Sequence, residues 1–466
     1  MRLTQELVSA GYFWLPAHPE RKVPGTLRIT DGGDIELEII SLFDQSVQGI
    51  ASVFNGSMSL GRILGEIANH GAVTLEKCAY KSVNGRFGSG SEIAMSTVRA
   101  NIALVGVWFD GAEAVFNGLE FSVEGIDEWV GLTGIRVQHQ EKTATINYSP
   151  PPEISVALQN GMTLLITFSW TLPGYARSFE ASISQQAQFK LVAESPIPLD
   201  DFIFVAHKIT TFLCFAIDET VCIQRVIATS ANVLEDYGNG VERQLPISVF
   251  YPSIPFVREK EDISRRKMLF AYPQIRANWS VIINAWLSAY EVIDPALNLY
   301  FAARTGAHKY LESKFLALAQ ALETFHRRTS NATLMDNETF GTLVKHILDH
   351  CPEDRKEWLT SRLTHGNEIS LASRLKAIVN DFGEAVGNPK DITKLVRRIV
   401  DTRNYLTHFD EALKALAARG KDMWVLCQKM EALLQLHLLQ KIGFSKDEIK
   451  SILSGTSSLS TKLSAS

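Results

Sequence analysis

Two apolar periods run along this 466-residue chain, and the change from one to the other falls near residue 270. Up to about residue 250, β-branched and aromatic residues recur in short runs punctuated by Gly, Asn and Pro. The runs are Thr26 to Ile40 (broken at Gly32-Gly33), Thr97 to Phe109, Ile135 to Tyr148, Ile154 to Leu172 (broken at Asn160-Gly161) and Ser178 to Leu191. Turn residues at such intervals predict hairpin-linked strands, so this half is expected to be β-rich and sandwich-like. Within it, Pro198 and the acidic pair Asp200-Asp201 precede helical spacing over Leu199 to Ile217, which predicts one helix packed on the sheet.

After Pro273 the apolar residues fall three and four apart. The sets are Leu311, Phe315, Leu318, Leu322 and Phe325; Ile369, Leu375, Ile378, Val379 and Phe382; Leu395, Ile399 and Leu406, with the charged Arg403 at the same spacing; and Met423, Cys427, Met430, Leu434 and Leu438. Each set places one apolar stripe on a helix, which predicts an all-α bundle and an α+β multidomain protein overall. Asp391 is expected to cap the helix that ends near residue 408, Gly420 to end a helix before Lys421, and Ser445 with Glu448 to form a capping box. Residues 455–466 are Ser-rich and are expected to be disordered. The expected organisation is a β-rich domain over 1–270, a connecting helical segment over 271–300, a helical domain over 301–454 and the tail.

Composition narrows the class. With 46% hydrophobic and 21% charged residues the chain is globular, and its length calls for two or three cores. The first twenty residues hold no continuous apolar segment, and the longest apolar runs, near Ile102 to Phe109 and Phe212 to Ile217, are far shorter than a membrane span. No export or membrane insertion is expected, and a cytoplasmic location is. Five scattered cysteines without a Cys-x2-Cys pair fit a reducing compartment and packing roles. Residues 281–466 carry 24 Lys and Arg against 21 Asp and Glu, a balance of +3, whereas residues 1–280 carry 22 against 30, a balance of −8. A mildly basic second half is compatible with RNA, but it lacks the strong basic stripe of an avid nonspecific binder.

The candidate chemistry lies at Arg403, Asn404, Tyr405, Leu406, Thr407 and His408, an Arg-x4-His spacing on a predicted helix. Arginine brings a fixed charge and a planar donor fork that fits a phosphodiester, and histidine exchanges a proton near neutral pH. At about 100° per residue Asn404 and His408 share a face, with Arg403 about 140° round the axis from His408. The competing structural role is an ion pair of Arg403 with Asp401 or Asp410 on a solvated face. Arg397 and Arg398 offer further positive surface toward RNA. His346, His350 and Cys351 bring two imidazoles to i,i+4, but no second ligand pair lies nearby, so no metal or cofactor is expected. Tyr12, Phe13, Trp14 and Pro16 are expected to pack in the core or along a strand edge, and Trp108, Phe109, Trp129 and Trp170 in the core.

Four stretches carry a resemblance: GYFWLPAHPERKVPGTLRI at 11–29, VTLEKC at 73–78, KFLALAQALETFHRR at 314–328 and TRNYLTH at 402–408. On these the second half resembles the HEPN family, and the chain as a whole resembles the ApeA-type bacterial defence proteins. The resemblance implies a metal-independent endoribonuclease acting as a homodimer, with paired Arg-His motifs in a composite cleft. It implies that Arg403 binds the scissile phosphate, that His408 is general base or acid, and that Asn404 fills the polar position after the arginine. An assisting acid on an earlier helix would be Glu323, against the simpler role of an i,i+4 partner for Arg327. The implied partners are an RNA substrate, with tRNA or another structured RNA as candidates, and a phage-derived or cellular trigger sensed by the β-rich domain. The alternative is a non-catalytic HEPN protein used for dimerisation or nucleotide binding.

Overall fold

A computed structural model describes the protein except residues 45–57, 86–93, 112, 175–178, 180, 237–241, 261, 307, 456 and 466. The chain divides into two compact units, Met1–Ser280 and Val281–Ser466.

The first unit is β-rich, as its period-2 runs predict. Its strands are β1 (Leu7–Trp14), β2 (Val23–Ile29), β3 (Ile35–Ile39), β4 (Ser59–Ile67), β5 (Gly71–Gly85), β6 (Ala94–Ala100), β7 (Ile102–Val105), β8 (Val115–Val123), β9 (Ile135–Gln140), β10 (Thr143–Tyr148), β11 (Ile154–Ala157), β12 (Thr163–Thr171), β13 (Ser184–Pro198), β14 (Ile223–Thr229), β15 (Leu234–Asp236), β16 (Glu242–Gln244) and β17 (Ile247–Phe250). Thirteen of them pair in the order β11-β12-β13-β8-β14-β17-β7-β5-β4-β1-β2-β3-β6, while β9-β10 and β15-β16 pair apart. Because β5 also pairs with β6, the run from β5 through β4, β1, β2 and β3 to β6 closes into a six-stranded antiparallel ring. Closure leaves that stretch no free edge.

Alternation places the core. Ile35, Leu37 and Ile39 point inward from β3 while Glu36 and Glu38 point out, and Phe13, Leu27, Ile63, Val73, Leu75 and Val98 join them in one buried cluster. Gly65 belongs to that packing, since a Cβ there would stand 2.5 Å from the Phe13 ring. Beyond the ring, α1 (Ile126–Val130) buries Trp129 against Phe189 and Phe212, and α2 (Leu199–Ile217) lies on β8 and β13 with the bounds its sequence predicts. Two tryptophans expected in the core are instead about half exposed. Trp108 follows the end of β7, where its indole donates to the Gly65 carbonyl at 2.6 Å and its ring meets Trp14 edge-on, and Trp170 leans on Tyr148 near the end of β12. Both use the amphipathic character of the side chain at an edge rather than full burial.

The second unit is all helical. After α3 (Tyr272–Ile275) the chain passes into it within α4 (Trp279–Arg304), which kinks at Ile293 ahead of Pro295 because proline removes an amide donor and crowds the preceding turn. Then follow α5 (Leu311–Thr329), α6 (Asn337–Asp349), α7 (Glu353–Leu363), α8 (Leu371–Asp381), α9 (Gly383–Val386), α10 (Pro389–His408), α11 (Gly420–Lys441), α12 (Lys446–Gly455) and α13 (Ser457–Ser464). Helices α5, α8, α10 and α11 pack on one another through Phe315, Leu318, Leu322, Leu375, Val379, Ile399, Cys427, Met430 and Leu434. By contrast, α6 and α7 hold no buried residue.

Helix ends refine the sequence expectations. Asn388, not Asp391, is the N-cap of α10, with Asp391 as its capping-box partner; Gly420 opens α11 rather than ending a helix. Ser445 and Glu448 do exchange the bonds of a capping box. The tail expected to be disordered carries α13, because Leu459 and Leu463, four apart, make an apolar face that is buried, and Lys462 reaches Glu431 at 2.8 Å. Serine content hid that stripe.

Candidate functional site

The Arg-x4-His residues occupy the last turns of α10. The helix starts with Asn388 Oδ1 accepting from the amides of Lys390 and Asp391, with Pro389 at its first position. Ile392, Leu395, Val396, Ile399 and Thr402 form its buried stripe. The stripe fixes the rotation of the helix, so Arg403 and Asn404 are half-buried at its margin and His408 is exposed as the final helical residue. Phe409 ends the helix in the left-handed region (φ 53°), where its amide donates to the Tyr405 carbonyl at 2.7 Å.

The following loop is tied back onto α10. Fully buried Thr402 donates to the Arg398 carbonyl and accepts from the Ala418 amide at 2.9 Å, and Arg398 donates to the Leu416 carbonyl at 2.6 Å and to Asp422 at 3.1 Å. Arg398 therefore braces the loop, while Arg397 is largely exposed, 3.6 Å from Asp401. Asp401 is thus engaged by Arg397 and not by Arg403. His408 makes no side-chain hydrogen bond or ion pair among the described residues.

Glu323, on α5, faces Arg403. Its Oε2 lies 4.0 Å from Arg403 Nη2, the side chains being 19% and 35% exposed, and Arg403 Nη1 donates to Asn404 Oδ1 at 3.3 Å. The other carboxylate oxygen accepts from Arg327 Nε and Nη2 at 3.2 and 3.1 Å. Arg327 also donates through Nη1 to Glu368, which accepts from His365 at 2.9 Å and stands 3.5 Å from Arg374. The hydrogen bonds from Arg327 and then His365 hold the Glu368 carboxyl below the usual carboxylate range. Beneath them Arg374 is buried 3.4 Å from His326, whose pKa is lowered by burial and then by the Arg374 charge. Arginines from three helices, Arg327, Arg374 and Arg403, thus meet two carboxylates, with Arg403 at the margin of the α10 stripe.

Such a margin can take an anion: Arg403 keeps donors to spare, and an exposed imidazole lies on the same terminal turns. Glu323 meets both arginines, as the i,i+4 partner of Arg327 and at 4.0 Å from Arg403. Sequence spacing gave Glu323 and Arg327 as an i,i+4 pair, but nothing local pointed to Glu368, which is 41 residues from Arg327. The His346 and His350 rings lie 4.6 Å apart and tilted by 57°, with His350 bonded to the His346 carbonyl, and among the described residues no group of three His, Cys, Asp or Glu side chains is placed to hold a metal ion.

The fold and site define a class: a β-rich unit followed by a helical bundle whose motif helix ends in Arg-x4-His. The model of ApeA N-terminal domain 1 matches residues 9–286, and that of the Apea-like HEPN domain matches residues 316–448. The chain belongs to the ApeA family, with a C-terminal HEPN domain. No curated protein and no solved structure matches it.

Proposed function

We propose that the protein is a metal-independent HEPN endoribonuclease of a bacterial antiviral system, cytoplasmic, acting as a homodimer and ending growth of an infected cell by cutting RNA. The observation that supports this reading is a half-exposed Arg403, 4.0 Å from Glu323 and bonded to Asn404, on the same helix end as His408, which makes no side-chain hydrogen bond or ion pair among the described residues. In the reaction, the ribose 2′-hydroxyl attacks the adjacent phosphorus and loses its proton to the His408 imidazole of one protomer. Arg403 neutralises the charge that builds on the non-bridging oxygens, and the leaving 5′-oxygen takes a proton from an imidazolium, for which the second motif of the dimer is available. The products are a 2′,3′-cyclic phosphate and a 5′-hydroxyl, and DNA lacks the nucleophile.

Asn404 positions Arg403, Glu323 supports it, and Arg397 with Arg398 extends the positive surface toward the RNA backbone. The first unit is assigned the sensing of a phage-derived or cellular trigger. The reading is tested by expressing wild type and His408→Ala at matched levels and comparing RNA integrity and growth after phage infection. Loss of both effects in the variant is expected; equal RNA damage removes His408 from the chemistry.

A further inference from the structure

Arg327 shares the carboxylate of Glu323 with Arg403 and lies outside the Arg-x4-His spacing. Its donors are divided between two carboxylates: Nε and Nη2 go to Glu323 Oε1, and Nη1 goes to Glu368. Glu323 is left with Oε2 pointing at Arg403 over 4.0 Å, beyond hydrogen-bond length. One carboxylate therefore faces two arginines, and the division of its charge decides how available Arg403 is. A carboxylate with one arginine neighbour favours a closed, two-bond pair. Glu323 is 19% exposed and so only partly neutralised by water. Without Arg327 its nearest cation is Arg403, and closing that pair takes a side-chain movement of about 1 Å, the difference between the present separation and an ordinary charge-assisted bond.

Arg327 is in turn fixed from outside its own helix. Glu368 lies in the loop between α7 and α8, bridged to Thr333, and accepts from His365 as well. The restraint thus runs His365, Glu368, Arg327, Glu323, Arg403.

We infer that Arg327 is a positioning residue for Arg403: by saturating one oxygen of Glu323 while anchored on Glu368, it keeps the Arg403 guanidinium from being sequestered and leaves it free for an anionic ligand. The inference rests on the nuclease reading only for the identity of that anion. Arg327→Gln converts Glu323 into a trap for Arg403, and the trap vanishes when Glu323 is neutralised as well.

The full-length protein is treated with phenylglyoxal, an arginine-specific dicarbonyl, and modification of Arg403 is followed by mass spectrometry in wild type, Arg327→Gln, Arg327→Lys, Glu323→Gln and the Glu323→Gln/Arg327→Gln double variant. Arg403 should react severalfold more slowly in Arg327→Gln, recover in the double variant, and stay near wild type in Arg327→Lys. RNA cleavage should fall in Arg327→Gln and stay near wild type in Arg327→Lys, while the variants without the Glu323 carboxylate are read on Arg403 reactivity alone, because Glu323 itself supports Arg403. Equal Arg403 reactivity in wild type and Arg327→Gln overturns the inference. Should Arg327→Gln fail to fold, as judged by circular dichroism, Arg327→Met, which keeps the aliphatic length without the charge, takes its place: slower modification of Arg403 than in wild type upholds the inference and unchanged modification overturns it. If the reactivity pattern holds while no variant, wild type included, cleaves RNA, the positioning role stands and the nuclease reading falls.

Discussion

At the residue scale the two motif side chains differ in how their loss should register. Arg403→Lys keeps the charge but removes the planar fork, so cleavage should fall about a hundredfold or more, the scale of losing one transition-state donor, with an unchanged melting temperature. Comparing kcat and thermal melting of that variant with wild type checks both halves of the statement. His437 makes a prediction of another kind. It is buried between Phe325 and Phe382, and its Nε2–H donates to the Ile378 carbonyl at 3.0 Å. Burial lowers its pKa from the ordinary 6.5, with the Ile378 hydrogen bond and Asp381 acting in the opposite direction. The unfolded chain then binds the proton more readily than the folded one, so stability is fully present above 6.5 and declines as pH falls below it. His326 acts in the same sense. Urea titrations at pH 7.5 and 5.5 should give a lower midpoint at the acid value, and His437→Gln should shrink the difference.

At the element scale, α10 depends on its two ends. Asn388→Ala removes the acceptor for two amides and should cost about 1 kcal/mol in chemical denaturation, the usual worth of an N-cap. How much of these elements was legible depended on whether the deciding interaction was local. The alternation of Ile35, Leu37 and Ile39, the Pro198-Asp200-Asp201 start of α2 and the stripes of α5, α8, α10 and α11 follow from period and caps alone. Ring closure through the β5–β6 pairing, the edge positions of Trp108 and Trp170, and the Arg327–Glu368 link depend on partners distant in sequence. Helices α6 and α7 hold no fully buried residue. Of the site, the motif and the Glu323–Arg327 pair could be read in advance; the approach of Glu323 to Arg403 needed the packing of α5 on α10.

At the scale of the whole molecule, the second unit carries a buried electrostatic centre on which its last helix depends. Glu431 is 4% exposed and faces Arg304 at 2.5 Å, Lys462 at 2.8 Å and Lys314 at 3.6 Å, which hold its carboxyl below the usual range against the penalty of burial. Lys462 comes from α13, together with the buried Leu459 and Leu463. Truncation after Gly455 should therefore destabilise the helical unit by about 3 to 5 kcal/mol, from the two leucine side chains and the lost charge, and thermal melting of full-length and shortened chains measures it.

Metal-independent cleavage through His408 is decided by mapping RNA ends in cells that express either wild type or His408→Ala after phage infection, using a ligation that selects 5′-hydroxyl termini, with cyclic phosphate confirmed on the matching upstream fragments. New, discrete 5′-hydroxyl ends are expected with wild type alone, and cleavage by the purified protein should persist in EDTA. New ends of equal abundance with His408→Ala, or ends bearing a 5′-phosphate, would contradict that chemistry.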